Sequence, residues 1–231
     1  MPDIMIDAAD RGSFAAYLAL PAGTETAPGM LVIQEIFGVN ANIRALCDAY
    51  AAEGYIAVAP DLFWRQEPGL QLDPGTDMAK AFALYKEFSE TKGVEDLIAT
   101  LAWLRAHPRC NGKAGAVGYC LGGKLAYLVA TRSDIDATVG YYGVGIEGSL
   151  GEAGAITRPL MLHVAEKDGF CPPEAQAKLR EGLAPITHVT LHTYPGVDHA
   201  FARKGGDHYD AAAAELADQR TAAFFTENLK A

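Results

Sequence analysis

Residues 114–124 read Ala114-Gly115-Ala116-Val117-Gly118-Tyr119-Cys120-Leu121-Gly122-Gly123-Lys124. An apolar run of strand character passes through G-x-C-x-G straight into a helix-forming segment from Leu121 onward. This is a nucleophile-elbow pattern with cysteine where serine is usual. Such a turn holds its central residue in a strained backbone conformation, so Gly118 and Gly122 must lack side chains for strand and helix to pass closely. The thiol then stands at a helix N-terminus, where partial positive charge favours a thiolate. Taken alone, the same residues also describe a small buried cysteine in a glycine-rich turn.

Residues downstream weigh in favour of chemistry. In folds built on such an elbow, an acid and then a histidine follow the nucleophile, each just after a strand. After the apolar run Leu160–Val164 comes Ala165-Glu166-Lys167-Asp168-Gly169. After His188–Tyr194 comes Pro195-Gly196-Val197-Asp198-His199. Asp168 and His199 therefore stand where the acid and base belong. Glu166 and Asp198 are rival acids, and strand-end position favours Asp168. His163 and His192 lie inside strands and read as core or face residues, while His107, His188 and His208 read as solvated. Their spacing offers no metal site.

Strand-length runs alternate with stretches of helical period along the whole chain. Strands are predicted at 14–20, 30–34, 56–59, 114–118, 137–142, 160–164 and 188–194, most of them continuous apolar runs as in parallel strands buried on both faces. The last alternates and reads as nearer the sheet edge. Helices are predicted at 41–53, 77–89, 93–106, 121–131, 173–182 and 207–230. The expectation is an α/β fold, a mostly parallel central sheet with helices on both faces, forming a single domain over 1–231. The longest irregular piece, 60–76, reads either as a pocket-mouth segment through Phe63, Trp64 and Leu70 or as a loop tucked into the body.

The loop after the run Met30–Gln34 is Gln34-Glu35-Ile36-Phe37-Gly38-Val39-Asn40. In elbow folds the loop after that early strand supplies one oxyanion N–H and the residue after the nucleophile supplies the other. Those are the backbone amides of Ile36 and Leu121. A carboxylate beside a low-pKa thiol opposes thiolate formation, so Glu35 needs a specific use there.

Composition bounds what such a site handles. The chain has 231 residues, 50% hydrophobic and 21% charged, with 29 acidic against 19 basic residues and a net charge of -10. Phosphate contacts dominate nucleic-acid affinity, so an acidic chain argues against a nucleic-acid partner, and equally against anionic membranes. The first residues carry no basic n-region, and no run approaches the ~18 apolar residues of a membrane helix. Cys47, Cys110, Cys120 and Cys171 are too sparse for a disulfide scaffold and form no zinc pattern, which fits reduced thiols in a cytoplasm.

Several segments together resemble the dienelactone hydrolase (carboxymethylenebutenolidase) family of α/β-hydrolases: QEIFGVN at 34–40, PDLFWRQEPG at 60–69, LDPG at 72–75, NGKAGAVGYCLGG at 111–123, VGYYGVG at 139–145 and DHAFAR at 198–203. The resemblance implies the α/β-hydrolase fold, a Cys120–His199–Asp168 triad and a resting thiol that is largely neutral. It implies that Glu35 accepts the thiol proton when substrate binds, and that Arg203 pairs with Glu35 or with a substrate carboxylate. It also points to the catabolism of aromatic compounds.

There is one departure from the family. Members of the chlorocatechol pathway carry a second arginine after the LDP segment, where this chain has Thr76-Asp77-Met78-Ala79-Lys80. Lys80 lacks the bidentate fork that suits a carboxylate, and it reads equally well as a solvated helix residue. Phe37 and Tyr85 complete the substrate-binding candidates.

The sequence thus points to a cofactor-free hydrolase opening an activated enol-lactone to an acid through an acyl-enzyme, with a small-molecule lactone or ester as partner. Two rivals stay open. One is a general carboxylesterase or thioesterase on neutral esters. The other is a non-catalytic binding protein of the same fold, or a thiol redox sensor in which Cys120 and Cys171 could form a disulfide.

Overall fold

The computed structural model describes residues 4–230; Met1–Asp3, part of the N-terminal segment read for a targeting signal, and Ala231 lie outside the described residues. The strands are β1 (Ile4–Asp7), β2 (Ser13–Ala19), β3 (Ala27–Ile33), β4 (Ile56–Pro60), β5 (Cys110–Tyr119), β6 (Ala137–Tyr141), β7 (Leu160–Ala165) and β8 (Val189–Tyr194). The helices are α1 (Ala41–Ala52), α2 (Met78–Lys86), α3 (Glu90–Ala106), α4 (Leu121–Arg132), α5 (Pro173–Leu183) and α6 (Ala211–Phe225). The strands are ordered β1-β2-β4-β3-β5-β6-β7-β8. β1–β2 and β2–β4 are antiparallel, whereas β3–β4, β6–β7 and β7–β8 are parallel. This is the mostly parallel α/β sheet expected from the apolar runs. Among the described residues no helix is long and apolar enough to cross a membrane, and no group of three His, Cys, Asp or Glu side chains can hold a metal ion.

Contacts divide the chain into two compact units, one through Ala116 and the other from Val117. In the first, β3 and β4 are buried along their whole length, which is why they read as unbroken apolar runs. α1 packs on β2, β3 and β4, and α3 packs on β1, β3 and β4. Strand β1 escapes the apolar pattern because only Ile6 of its four residues is buried. Segment 60–76 is braced throughout. Phe63 and Leu70 are buried in the body. The Trp64 indole donates to Asp96 at 2.9 Å, and Arg65 pairs with both Asp96 and Asp10. Asp61 closes the loop on itself, accepting from the amides of Phe63 at 3.0 Å and Gly69 at 2.7 Å.

In the second unit β6 and β7 are wholly buried, and α4 packs on both. β8 ends the sheet order with mixed burial, as its alternation predicts. Against these strands a polar chain runs from the buried His163 out to the exposed Asp218. His163 Nδ1 is 2.8 Å from the Tyr194 hydroxyl, and His163 Nε2 is 2.9 Å from Thr221 Oγ1. The Tyr141 hydroxyl reaches Thr221 at 2.7 Å and donates to Asp218 at 3.0 Å. Every polar atom of His163 is thereby satisfied, as burial requires. α6 begins at Ala211, later than its period suggests, because Asp210 caps it by accepting from Ala213 N at 2.9 Å. A 3-10 helix over Ile146–Ala155 has no counterpart in the sequence reading.

Candidate active site

The elbow is built as its glycines demand. Cys120 stands between β5 and α4 with φ 55° and ψ −113°, a conformation L-residues rarely adopt. A Cβ on Gly118 would lie 1.9 Å from the Gly122 carbonyl oxygen, so only glycine fits there. Gly123, which the sequence reading did not single out, is equally constrained: its Cβ would sit 2.5 Å from the Tyr141 carbonyl oxygen. The Cys120 amide donates to that same Tyr141 oxygen at 3.1 Å, and the Cys120 carbonyl accepts from Gly123 and Lys124 to start α4. Cys120 is half-buried.

His199 and Asp168 face each other across two strand-end loops. His199 Nδ1 lies 2.9 Å from Asp168 Oδ2, while Asp168 Oδ1 accepts the Phe170 amide at 2.8 Å. The Cys120 thiol is the second hydrogen-bonding partner of the imidazole. Burial works against a charge on His199, yet the hydrogen bonds to Asp168 and Cys120 outweigh it, and the pKa is raised to about 10. The Cys120–His199 hydrogen bond and the Asp168 carboxylate both favour the imidazolium. Two aromatic rings clamp the imidazole edge-on: Tyr142 at 5.1 Å and Phe170 at 4.9 Å between centroids. Sequence reasoning missed both. Phe170 stays 52% exposed although it packs on His199, and Tyr142 carries φ 38°.

The rival acids do other work. Glu166 accepts the Gly196 amide at 2.8 Å, and Asp198 accepts the amides of His199 and Gly169. Cys171 is buried, and burial with the nearby Asp168 charge pushes its thiol up to about 12, a poor setting for a redox partner. Burial likewise raises Cys47. His208, expected to be merely solvated, lies with Nδ1 3.1 Å from the His199 carbonyl oxygen. Arg203, half-buried, follows His199 in the same turn, and its amide donates to the Ala200 carbonyl at 2.9 Å. The Leu121 amide belongs to the first turn of α4.

The remaining candidates lie in the first unit. Glu35, Ile36 and Phe37 are buried in the loop after β3. Gln34 braces that loop, accepting from Leu62 N at 3.1 Å and donating to the Glu35 carbonyl at 3.2 Å. Gly38 has φ 74°, and a Cβ there would meet the Leu70 carbonyl oxygen at 2.0 Å. Lys80 is exposed on α2 with its ammonium 2.7 Å from Glu67, and Tyr85 is half-buried on the same helix.

Comparison with known proteins agrees with this architecture. The pattern described as the dienelactone hydrolase family matches residues 14–229. A protein of Azospirillum brasilense named "Putative carboxymethylenebutenolidase" is 52% identical over 239 residues, covering 99% of this chain and 100% of the relative. The "Carboxymethylenebutenolidase 1" of Cupriavidus pinatubonensis is 41% identical over 220 residues, covering 94% and 93%. Among solved structures, a "Putative Dienelactone Hydrolase" from Klebsiella pneumoniae aligns with a TM-score of 0.86 at 27% identity over 98% of each chain. The chain therefore belongs to the dienelactone hydrolase family, as a hydrolase of carboxylic ester bonds.

Proposed function

We propose that the enzyme opens an activated enol-lactone of the dienelactone type by covalent catalysis, with Cys120 as nucleophile, His199 as acid and base, and Asp168 orienting His199. The observation that carries this reading is the bonded chain from Asp168 through His199 to the Cys120 thiol, set on a strained elbow. The Cys120 sulfur attacks the lactone carbonyl, and the resulting oxyanion is held by the Leu121 amide at the start of α4. Collapse breaks the ring C–O bond, and the departing enolate oxygen takes a proton from the His199 imidazolium. Water then attacks the thioester, giving one proton to His199. The second collapse releases the carboxylic acid and restores the sulfur.

A thiolate is a good leaving group, so the first intermediate partitions forward only when the alcohol leaves at least as readily. Enol esters meet that condition; alkyl esters and amides do not. Arg203 is the residue we assign to a carboxylate on the substrate, which would set such lactones apart from neutral esters. The cytoplasm and a place in aromatic-compound catabolism follow as part of the same proposal.

The test is steady-state opening of a carboxylated dienelactone, followed by ultraviolet absorbance, for wild type and Cys120→Ala. Loss of at least about 10³-fold in kcat is expected for the variant. Equal rates would remove Cys120 from the mechanism. Turnover of neutral alkyl esters as fast as of the lactone would favour a general esterase instead.

A further inference from the structure

Asp198 has no part in the triad just proposed, yet it lies between the two loops that carry its acid and base. Its Oδ1 accepts the backbone N–H of His199 at 2.6 Å and that of Gly169 at 3.3 Å. Its other oxygen lies 3.8 Å from His208 Nδ1, the nitrogen that also lies 3.1 Å from the His199 carbonyl oxygen. Beside this link, the Lys167 amide donates to the Val197 carbonyl at 2.9 Å. One carboxylate thus spans from the segment that follows β7 to the segment that follows β8.

The backbone there has reason to need a pin. Ala200, immediately after His199, has φ 62° without being glycine. Of the four non-glycine residues with positive φ among the described residues, three are Cys120, Tyr142 and Ala200, which are the elbow, a ring against His199 and the neighbour of His199. Strain of this kind persists only where surrounding bonds over-determine the chain. If the acceptor on the His199 amide were withdrawn, the peptide could relax and the imidazole would turn with it. The same contacts show in its titration: burial pushes the Asp198 pKa up, but the amides of His199 and Gly169 outweigh that and hold it below the ordinary carboxylate range.

We propose that Asp198 is a positioning residue for lactone opening, a staple across two amides that keeps His199 in line between Asp168 Oδ2 and the Cys120 sulfur. The proposal rests on the triad reading above. It makes the acceptor geometry of Asp198, rather than its charge, the property that matters, because its hydrogen bonds go to backbone amides and the imidazole Nδ1 is already taken by Asp168.

Three substitutions test this against lactone opening and against the far-downfield proton resonance of the His199–Asp168 hydrogen bond. Asp198→Ala removes the oxygen that accepts from both amides. It is expected to lower kcat by about 10- to 100-fold with KM nearly unchanged, the scale of a misaligned catalytic group, and to abolish or broaden the downfield resonance. Asp198→Asn keeps Oδ1 and is expected to retain both the rate and the resonance. Asp198→Ser can accept from one amide without reaching the second, and is expected to fall between them. An alanine variant indistinguishable from wild type would overturn the staple, and so would an asparagine variant as impaired as alanine. Should the alanine variant not fold, serine matching asparagine in both readouts overturns it equally. Cys120→Ala assayed alongside separates the two proposals. Activity lost there but kept in Asp198→Ala overturns the staple alone, whereas activity kept in Cys120→Ala overturns the triad and the staple with it.

Discussion

Two histidines of the second unit, His163 and His199, are buried to similar degrees, 1% and 8% exposed, and burial pushes both toward the neutral form. They end at opposite extremes. His163 is lowered to about 3, by burial first and then by the charges of His192 and Arg220. His199 is raised to about 10. The difference lies in what meets the ring nitrogens. His163 touches two neutral hydroxyls, those of Tyr194 and Thr221, which satisfy its hydrogen bonds without stabilising a charge. His199 touches the carboxylate of Asp168 and the sulfur of Cys120, which stabilise a proton more than burial opposes it. Burial selects for satisfied partners; the charge of those partners decides whether a buried histidine is held neutral or favours its proton.

The comparison breaks most sharply at Asp168. Asp168→Asn gives His199 a neutral partner, as His163 has, and should lower kcat by about 10⁴-fold, the scale of the same change in serine triads. Stopped-flow or steady-state lactone hydrolysis checks this, and a rate near wild type would erase the distinction between the two sites.

The next effect concerns stability. His163 has a folded pKa near 3 against an ordinary value of 6.5, so the unfolded chain binds the proton more readily. Its contribution is fully present above pH 6.5 and is lost as pH falls toward 3, reaching a loss of about 2 kcal/mol at pH 5. Denaturant midpoints measured from pH 7 to 5 should fall more steeply in wild type than in His163→Gln. Parallel slopes would mean that His163 is not held neutral.

The smallest effect is expected at the ring that clamps His199. Phe170→Leu keeps an apolar side chain but removes an edge contact worth about 0.5–1.5 kcal/mol, so kcat/KM should fall by no more than about tenfold. A larger loss would show that the exposed ring does more than steady the imidazole.

Most of the sheet was legible because it is built from local signals. β4, β6 and β7 announce themselves as unbroken apolar runs since both their faces are covered. β1 does not, having a single buried side chain, and α6 starts late because a capping bond, not periodicity, sets its first turn. Segment 60–76 could be read either way in sequence; Phe63 and Leu70 prove to be buried, a fact set by packing partners outside the segment. Tyr142 and Phe170 were invisible for the same reason: no local pattern marks a ring that packs on a distant imidazole.

What the amino-acid sequence determined alone was the strand–turn–helix around Cys120, the order of Cys120, Asp168 and His199, and the family they signal. These follow from apolar period, glycine spacing and position after a strand, all local properties of the chain. The tertiary structure decided that Asp168, favoured by its strand-end position, is the carboxylate that meets His199, what Asp198 does instead, and in which direction each buried histidine is shifted. Those depend on partners 31 residues away for His199 and 58 for His163, and a hydrogen bond or a field across such a separation exists only once the chain has folded.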